Sequence, residues 1–197
     1  MNRYPSSEQS ISAMNQLATF VVETRFEDLP TQVINRAKLT ILDTLGVALK
    51  GASVQEIRQL ISQMHHDGKV SLWAPGFPCT SDVTRASFIN ATAICAVELD
   101  EISTPSAHPA LHTLPVALAV AQQHEYSGQD LITAFVLGYE VHQRLQKGVV
   151  LRKEVYPHGN LGYIGAIAAV GKLLSWTPGM LLNAMNCVAS LPLAPSY

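Results

Sequence analysis

Residues 155–197 read VYPHGNLGYIGAIAAVGKLLSWTPGMLLNAMNCVASLPLAPSY. The stretch holds no Asp or Glu, and Lys172 is its single Lys or Arg. Ile164, Ile167, Val170, Leu173 and Leu174 recur at helical spacing, and so do Met180, Leu181, Leu182, Met185 and Val188 after Pro178. The spacing predicts one helix over Leu161–Leu174 and another after Pro178. A surface helix needs a solvated face, and these two lack one. They are expected to be central helices, covered by later chain or by a second subunit. The chain accordingly reads as interrupted at Tyr197.

The same helical period runs through the rest of the chain. Ser6 or Ser7 caps a first helix with Ile11, Met14, Leu17, Ala18 and Val21 on one face. Pro30 opens a second, with Val33, Ile34, Ala37, Ile41, Leu45 and Ala48 apolar and Gly51 at its end. Val54–Met64 is a third. A short strand and a loop fill Lys69–Thr80, and Ser81 or Asp82 caps a helix to about Leu99. Helices resume at Pro109–His124 and after Gly128. Alternating patterns are scarce, so the fold class is all-α: residues 1–197 read as one partial multi-helix domain.

Hydrophobic residues make up 48% of the 197, and charged residues 14%, well under the quarter usual for globular chains. Thirteen Lys and Arg against fifteen Asp and Glu give a net charge of −2, which leaves no basic surplus for nucleic acid. The apolar run Leu161–Val170 is too short for a bilayer span, so no membrane partner is expected. No apolar segment marks a signal peptide near Met1, and Cys79, Cys95 and Cys187 are scattered. Free thiols in a cytoplasmic protein are the expectation.

Two stretches carry candidate chemistry. In Glu98-Leu-Asp100-Glu-Ile-Ser-Thr-Pro-Ser-Ala-His108-Pro109, acids end one helix and a histidine begins the next. Carboxylates at a helix C-terminus oppose the macrodipole, so local stability does not account for them. Proline suits the first helical position and places His108 at an N-cap, where the positive helix end favours neutral imidazole. A neutral imidazole beside a carboxylate is a workable general base. A polar interhelical loop with solvated acids is the open alternative. In Tyr156-Pro-His158-Gly159-Asn160, a helix start rich in glycine offers amides to an anion; a glycine helix packed tightly on its neighbours is the alternative there. The GxxGxxG spacing is not a dinucleotide fingerprint. His108 and His112 lie four apart with no HExxH around them, and His65-His66 sit before a turn. No metal is expected. His124 and His142 are expected on helix surfaces.

At these residues the chain resembles the MmgE/PrpD family, whose activities include 2-methylcitrate dehydratase, cis-aconitate decarboxylase and iminodisuccinate epimerase. The matching pieces are Ala37–Gly46, Phe88–Ala93, the acidic run to His108-Pro109, Leu114–Ala119, Ser127–Leu131, Gly138–Val141 and His158-Gly159. They come in the family's order and cover nearly the whole chain. The resemblance implies an all-helical domain, followed in the family by a smaller lid domain that is absent here, and frequent dimers. It implies proton transfer beside a carboxylate, with no cofactor, at a site that includes His108. The family's LDFDD-like run followed by Thr is here Glu98-Leu99-Asp100-Glu101 followed by Ile102.

The expected function is a lyase or isomerase acting on a small di- or tricarboxylate. His108 moves the proton, Asp100 orients it, and His158 completes the catalytic set. Glu98, Gly159 and Asn160 bind substrate. His108 and His158 are expected to face each other across one cleft. The alternative is a non-catalytic half-protein acting as a helical oligomerisation module. Either way a homodimer, or a separately encoded second half, is the expected partner.

Overall fold

Helix starts follow the sequence signals closely. Asp82 accepts the Arg85 N–H at 2.9 Å and caps one helix. Ser127 and Asp130 form a reciprocal capping box at another, with Asp130 N–H on Ser127 Oγ at 3.2 Å and Ser127 N–H on Asp130 Oδ2 at 3.0 Å. Thr177 accepts from Met180 N–H ahead of Pro178 at a third. The computed structural model describes residues 7–64, 67–76, 80–104, 107–150 and 157–191, and their side chains except those of 7–12, 80, 157 and 158. The expected cap Ser6, the side chain of Ser7, and His65, His66 and Cys79 fall outside this description.

Among the described residues the fold is all-α, as expected. Its helices are α1 (Ser7–Glu23), α2 (Thr31–Gly51), α3 (Gln55–Met64), α4 (Val83–Cys95), α5 (Pro109–His124), α6 (Gly128–Gly148), α7 (Pro157–Leu173) and α8 (Pro178–Ala189). The described sheet is one antiparallel pair, β1 (Val70–Ser71) and β2 (Thr80–Ser81), with Val70 opposite Ser81. Asn90 of α4 is buried and ties this corner together. Its Oδ1 accepts Trp73 N–H at 3.0 Å, and its Nδ2 donates to Ser71 O at 3.1 Å. No described helix is long and apolar enough to cross a membrane.

The centre is built from α5, α6 and α7. Ala117, Val120 and Ala121 of α5 cluster with Ala169 and Leu173 near the end of α7 and with Ala134 of α6. At the other end His112 of α5 lies on Gly162 of α7. So α5 and α7 run parallel, with their N-termini at the same end, and α6 runs antiparallel to both. The backbones approach closely at glycine. A Cβ at Gly138 would stand 2.6 Å from Gly165 O, 2.7 Å from Thr113 Cγ2 and 2.9 Å from the Ala169 Cβ.

Helix α7 is indeed central, but this chain supplies most of the cover. Leu161, Ile164, Ala168, Leu181 and Met185 are buried with Ala18 and Val21 of α1 and with Leu137 and Val141 of α6. Lys172, the lone cation of this region, donates to Val22 O at 2.8 Å and satisfies a carbonyl at the end of α1. Three other readings need correction. His142 is fully buried rather than on a helix surface, because α7 lacks a side chain at Gly165 and lets α6 sink against it. Helix α4 stops at Cys95 rather than near Leu99. Helix α7 starts at Pro157, which serves as a helix-opening proline.

Gly138→Ala is expected to destabilise the fold. Overpacking costs about 1–3 kcal/mol, against about 1 kcal/mol gained in helix propensity. Urea unfolding should show a lower midpoint with an unchanged slope.

Candidate active site

The site is carried by the loop between α4 and α5. Beyond the C-cap Ala96, Glu98 adopts left-handed φ of 47°, the usual way for a chain to leave a helix end. The loop then closes on itself. Ser103 N–H donates to Ala107 O at 2.9 Å, and Ala107 N–H returns a bond to Ser103 O at 3.1 Å. This bridge brings residues 100 and 108 together. His108 Nδ1 lies 2.8 Å from Asp100 Oδ2, with the Asp100 side chain 4% exposed and the His108 side chain 24% exposed. His108 is the N-cap of α5 and Pro109 its first residue, as expected.

The chemistry of the pair follows from donor and acceptor types. A carboxylate only accepts, so the Nδ1 proton lies on the bond to Asp100. In the neutral ring this assigns the proton-accepting lone pair to Nε2. Asp100 therefore holds both the tautomer and the orientation of His108.

The next acid, Glu101, turns to a different partner. Its Oε1 accepts Ala110 N–H at 2.6 Å, and its Oε2 is buried without a partner among the described residues. Burial pushes its carboxyl up to about 8; the Ala110 N–H works against that rise, and the nearby Asp100 and Asp43 charges add to it. Tyr139 of α6 is raised to about 12, chiefly by burial and then by Glu101, with the nearby Ser103 working against the rise. Gln143, one turn further along α6, donates its Nε2 to Ser103 Oγ. Glu101, Ile102, Tyr139, Glu140, Arg36 and Thr40 help line a cavity of about 450 Å³ between α2 and α6, whose lining does not include Asp100 or His108. One ligand atom each of Asp100, Glu101 and His108 lies within 4.8 Å of the others, a spacing able to take a cation. One of these contacts, Asp100 to His108, is already a hydrogen bond, and Glu101 spends its Oε1 outside the group on the Ala110 N–H.

Of the expected site residues, His108 and Asp100 meet. Glu98 stands exposed two residues before Asp100, and with Asp100 it adds to the burial that raises the Cys95 thiol. Gly159 and Asn160 are half-buried in the first turn of α7, at the end where α5 also begins. The His158 side chain lies outside the described residues, and with it the expected approach to His108. Sequence reasoning did not single out Tyr139, Gln143 or Ser103, because nothing local marks a contact across 40 residues. His112, weighed in the sequence only as a possible metal partner of His108, packs its ring edge-on against His142 at 5.6 Å and Tyr163 at 6.2 Å.

The family model described as the MmgE/PrpD N-terminal domain matches residues 15–195. The chain is 30% identical over 197 residues to cis-aconitate decarboxylase of Homo sapiens, covering 94% of this chain and 40% of that protein. It is 28% identical to the Mus musculus cis-aconitate decarboxylase, at 94% and 39% coverage. It is 29% identical to that of Aspergillus terreus, at 81% and 35%. The chain thus spans about 40% of the length of the curated relatives it matches.

Glu101 makes stability depend on pH. Its carboxyl is raised from 4.5 to about 8 in the fold, so its contribution is full below about pH 4.5 and is lost as pH rises toward 8. The loss cannot exceed about 1.4 kcal/mol per pH unit for one proton. Glu101→Gln should flatten this slope between pH 5 and 8, measured by urea unfolding across pH.

Proposed function

The chain belongs to the MmgE/PrpD family, and from that premise we propose that it carries the proton-transfer half of a lyase acting on a small di- or tricarboxylate. The observation that supports this most directly is the Asp100–His108 pair, 2.8 Å apart at the start of α5. Decarboxylation leaves an electron pair on carbon that must take a proton. Dehydration removes a proton beside a carboxylate, and epimerisation removes and returns one. All three need a group that takes up or gives back a proton at one fixed atom, and Nε2 of His108, the nitrogen turned away from Asp100, is that atom. The parallel starts of α5 and α7 bring two positive helix ends to one side, which suits a substrate carboxylate. Gly159 and Asn160 bind it there, Glu98 contacts its far end, and His158 acts with His108. The proton moves between side chains and substrate without a cofactor. Names of the relatives favour decarboxylation over epimerisation.

The test is ligand-induced thermal stabilisation of the 197-residue chain. Binding at a hundredfold excess over Kd stabilises a fold by about 2.7 kcal/mol. A tricarboxylate such as cis-aconitate is expected to raise Tm, with a smaller rise for aspartate-like dicarboxylates and none in His108→Ala. No rise with any carboxylate at millimolar concentration overturns the reading.

A second reading is favoured by exposed apolar side chains. Leu39, Leu42 and Leu49 of α2 are 59%, 67% and 45% exposed, and Phe88 of the neighbouring α4 is 52% exposed. Such a surface fits an interface with a second copy, or with a separately encoded half. The scattered thiols Cys95 and Cys187 are free, which fits a cytoplasmic protein. Light scattering is expected to give about twice the chain mass of 21.3 kDa. A single species at the chain mass at low micromolar concentration overturns the dimer.

A further inference from the structure

An N-cap residue ordinarily turns its side chain onto the first free amides of its helix. Asp82, Ser127 and Thr177 do this for α4, α6 and α8. His108 is the N-cap of α5 and makes no such bond. Its ring nitrogen is spent on Asp100 instead, and a nitrogen that donates there cannot also accept from α5. The helix would start with its amides unsatisfied. Pro109 has no N–H, so Ala110 offers the first one, and Glu101 Oε1 accepts it at 2.6 Å.

We propose that Glu101 is a positioning residue that caps α5 in place of its own N-cap residue and so leaves the His108 ring to Asp100. The inference rests on reading His108 as the proton-transfer group. The geometry gives Glu101 a second effect. Asp100 and Glu101 are adjacent, and they hold two points of α5 that are themselves two residues apart, the His108 ring and the Ala110 amide. Two attachments suppress rotation of the loop about either one, which a single hydrogen bond would permit. The far side of the loop is anchored separately, through Ser103 to Ala107 within the loop and to Gln143 on α6. Glu101 is half-buried between these anchors, and among the described residues its hydrogen bond to α5 is the capping bond.

The experiment uses the 197-residue chain with nitrogen-15-labelled histidine. In the wild type the His108 shifts should report a proton fixed on Nδ1. Glu101→Gln keeps an oxygen for Ala110 and should preserve those shifts. Glu101→Ala should move them toward the ordinary mixture dominated by the Nε2 proton, and lower Tm by about 2–4 °C, the value of one lost cap in a chain of this size. Restoring a conventional cap with His108→Asp should remove at least half of the Tm loss caused by Glu101→Ala. Unchanged His108 shifts in a folded Glu101→Ala variant overturn the proposal, and so does an equal Tm loss with and without His108→Asp. If Glu101→Ala alone does not fold, folding of the double variant supports the proposal, and failure of the double variant overturns it. None of these readouts needs a substrate. Failure of carboxylate binding therefore bears on the role of His108 and leaves the cap test standing.

Discussion

Backbone-to-backbone contact between α6 and α7 is the constraint on which the rest of the structure hangs. Gly138 and Gly165 face each other so closely that a Cβ on either would stand 2.6 Å from the other's carbonyl oxygen. Side chains cannot stand between the two helices there, so α7 sinks into the groove beside α6 and α5. The parallel arrangement of α5 and α7 follows, because α6 lies antiparallel to both. Their N-termini are thereby brought to one end, the end that also receives the acidic loop. The burial of His142 has the same origin: its Cβ is 3.0 Å from where a Cβ on Gly165 would be.

The loop shows how a polar site is held beside such an apolar centre. Asp100 is almost wholly buried, yet a partner meets it; a buried acid without one is costly. Its neighbour Glu101 also has a partner, for one oxygen of its two. Ser103 serves as the junction, bonded to Ala107 within the loop and to Gln143 on α6. The pair of residues able to exchange a proton is thus supported from two helices and from its own backbone bridge.

Much of this was legible in the sequence, and what was not has a physical reason. Period and punctuation located the helices from α1 onward, because caps and prolines act locally: Asp82, Ser127 and Pro109 need no tertiary context. The Asp100–His108 pair was legible for the same reason, being eight residues apart. Gln143 and Tyr139 were not, since their contacts depend on how α6 lies across the loop. Of the two uncharged C-terminal helices read as central, α7 is so, whereas α8 buries Leu181 and Met185 and leaves Met180, Asn183 and Asn186 exposed; the source of the cover was also misjudged. Leu181 and Met185 are buried against α1 and α6, and no periodicity in α8 says that a helix 160 residues earlier will lie on it. His142 was misread because a polar residue on an otherwise amphipathic helix looks solvated until the glycine opposite, Gly165, is seen to face it.

The short separation between Asp100 and His108 has a consequence for how such a site can change. Contacts between residues near in sequence need little loop closure, so they form without waiting for distant parts of the chain. The bridge from Ser103 to Ala107 closes the same segment. The pair and its bridge therefore behave as a cassette, inserted between two helices and clipped to α6 at one serine. Residues at its margins, Glu98 and Ile102, are exposed and can be exchanged without disturbing the pair. A family built on this plan can vary the rim of the cassette while the Asp100–His108 pair is inherited whole.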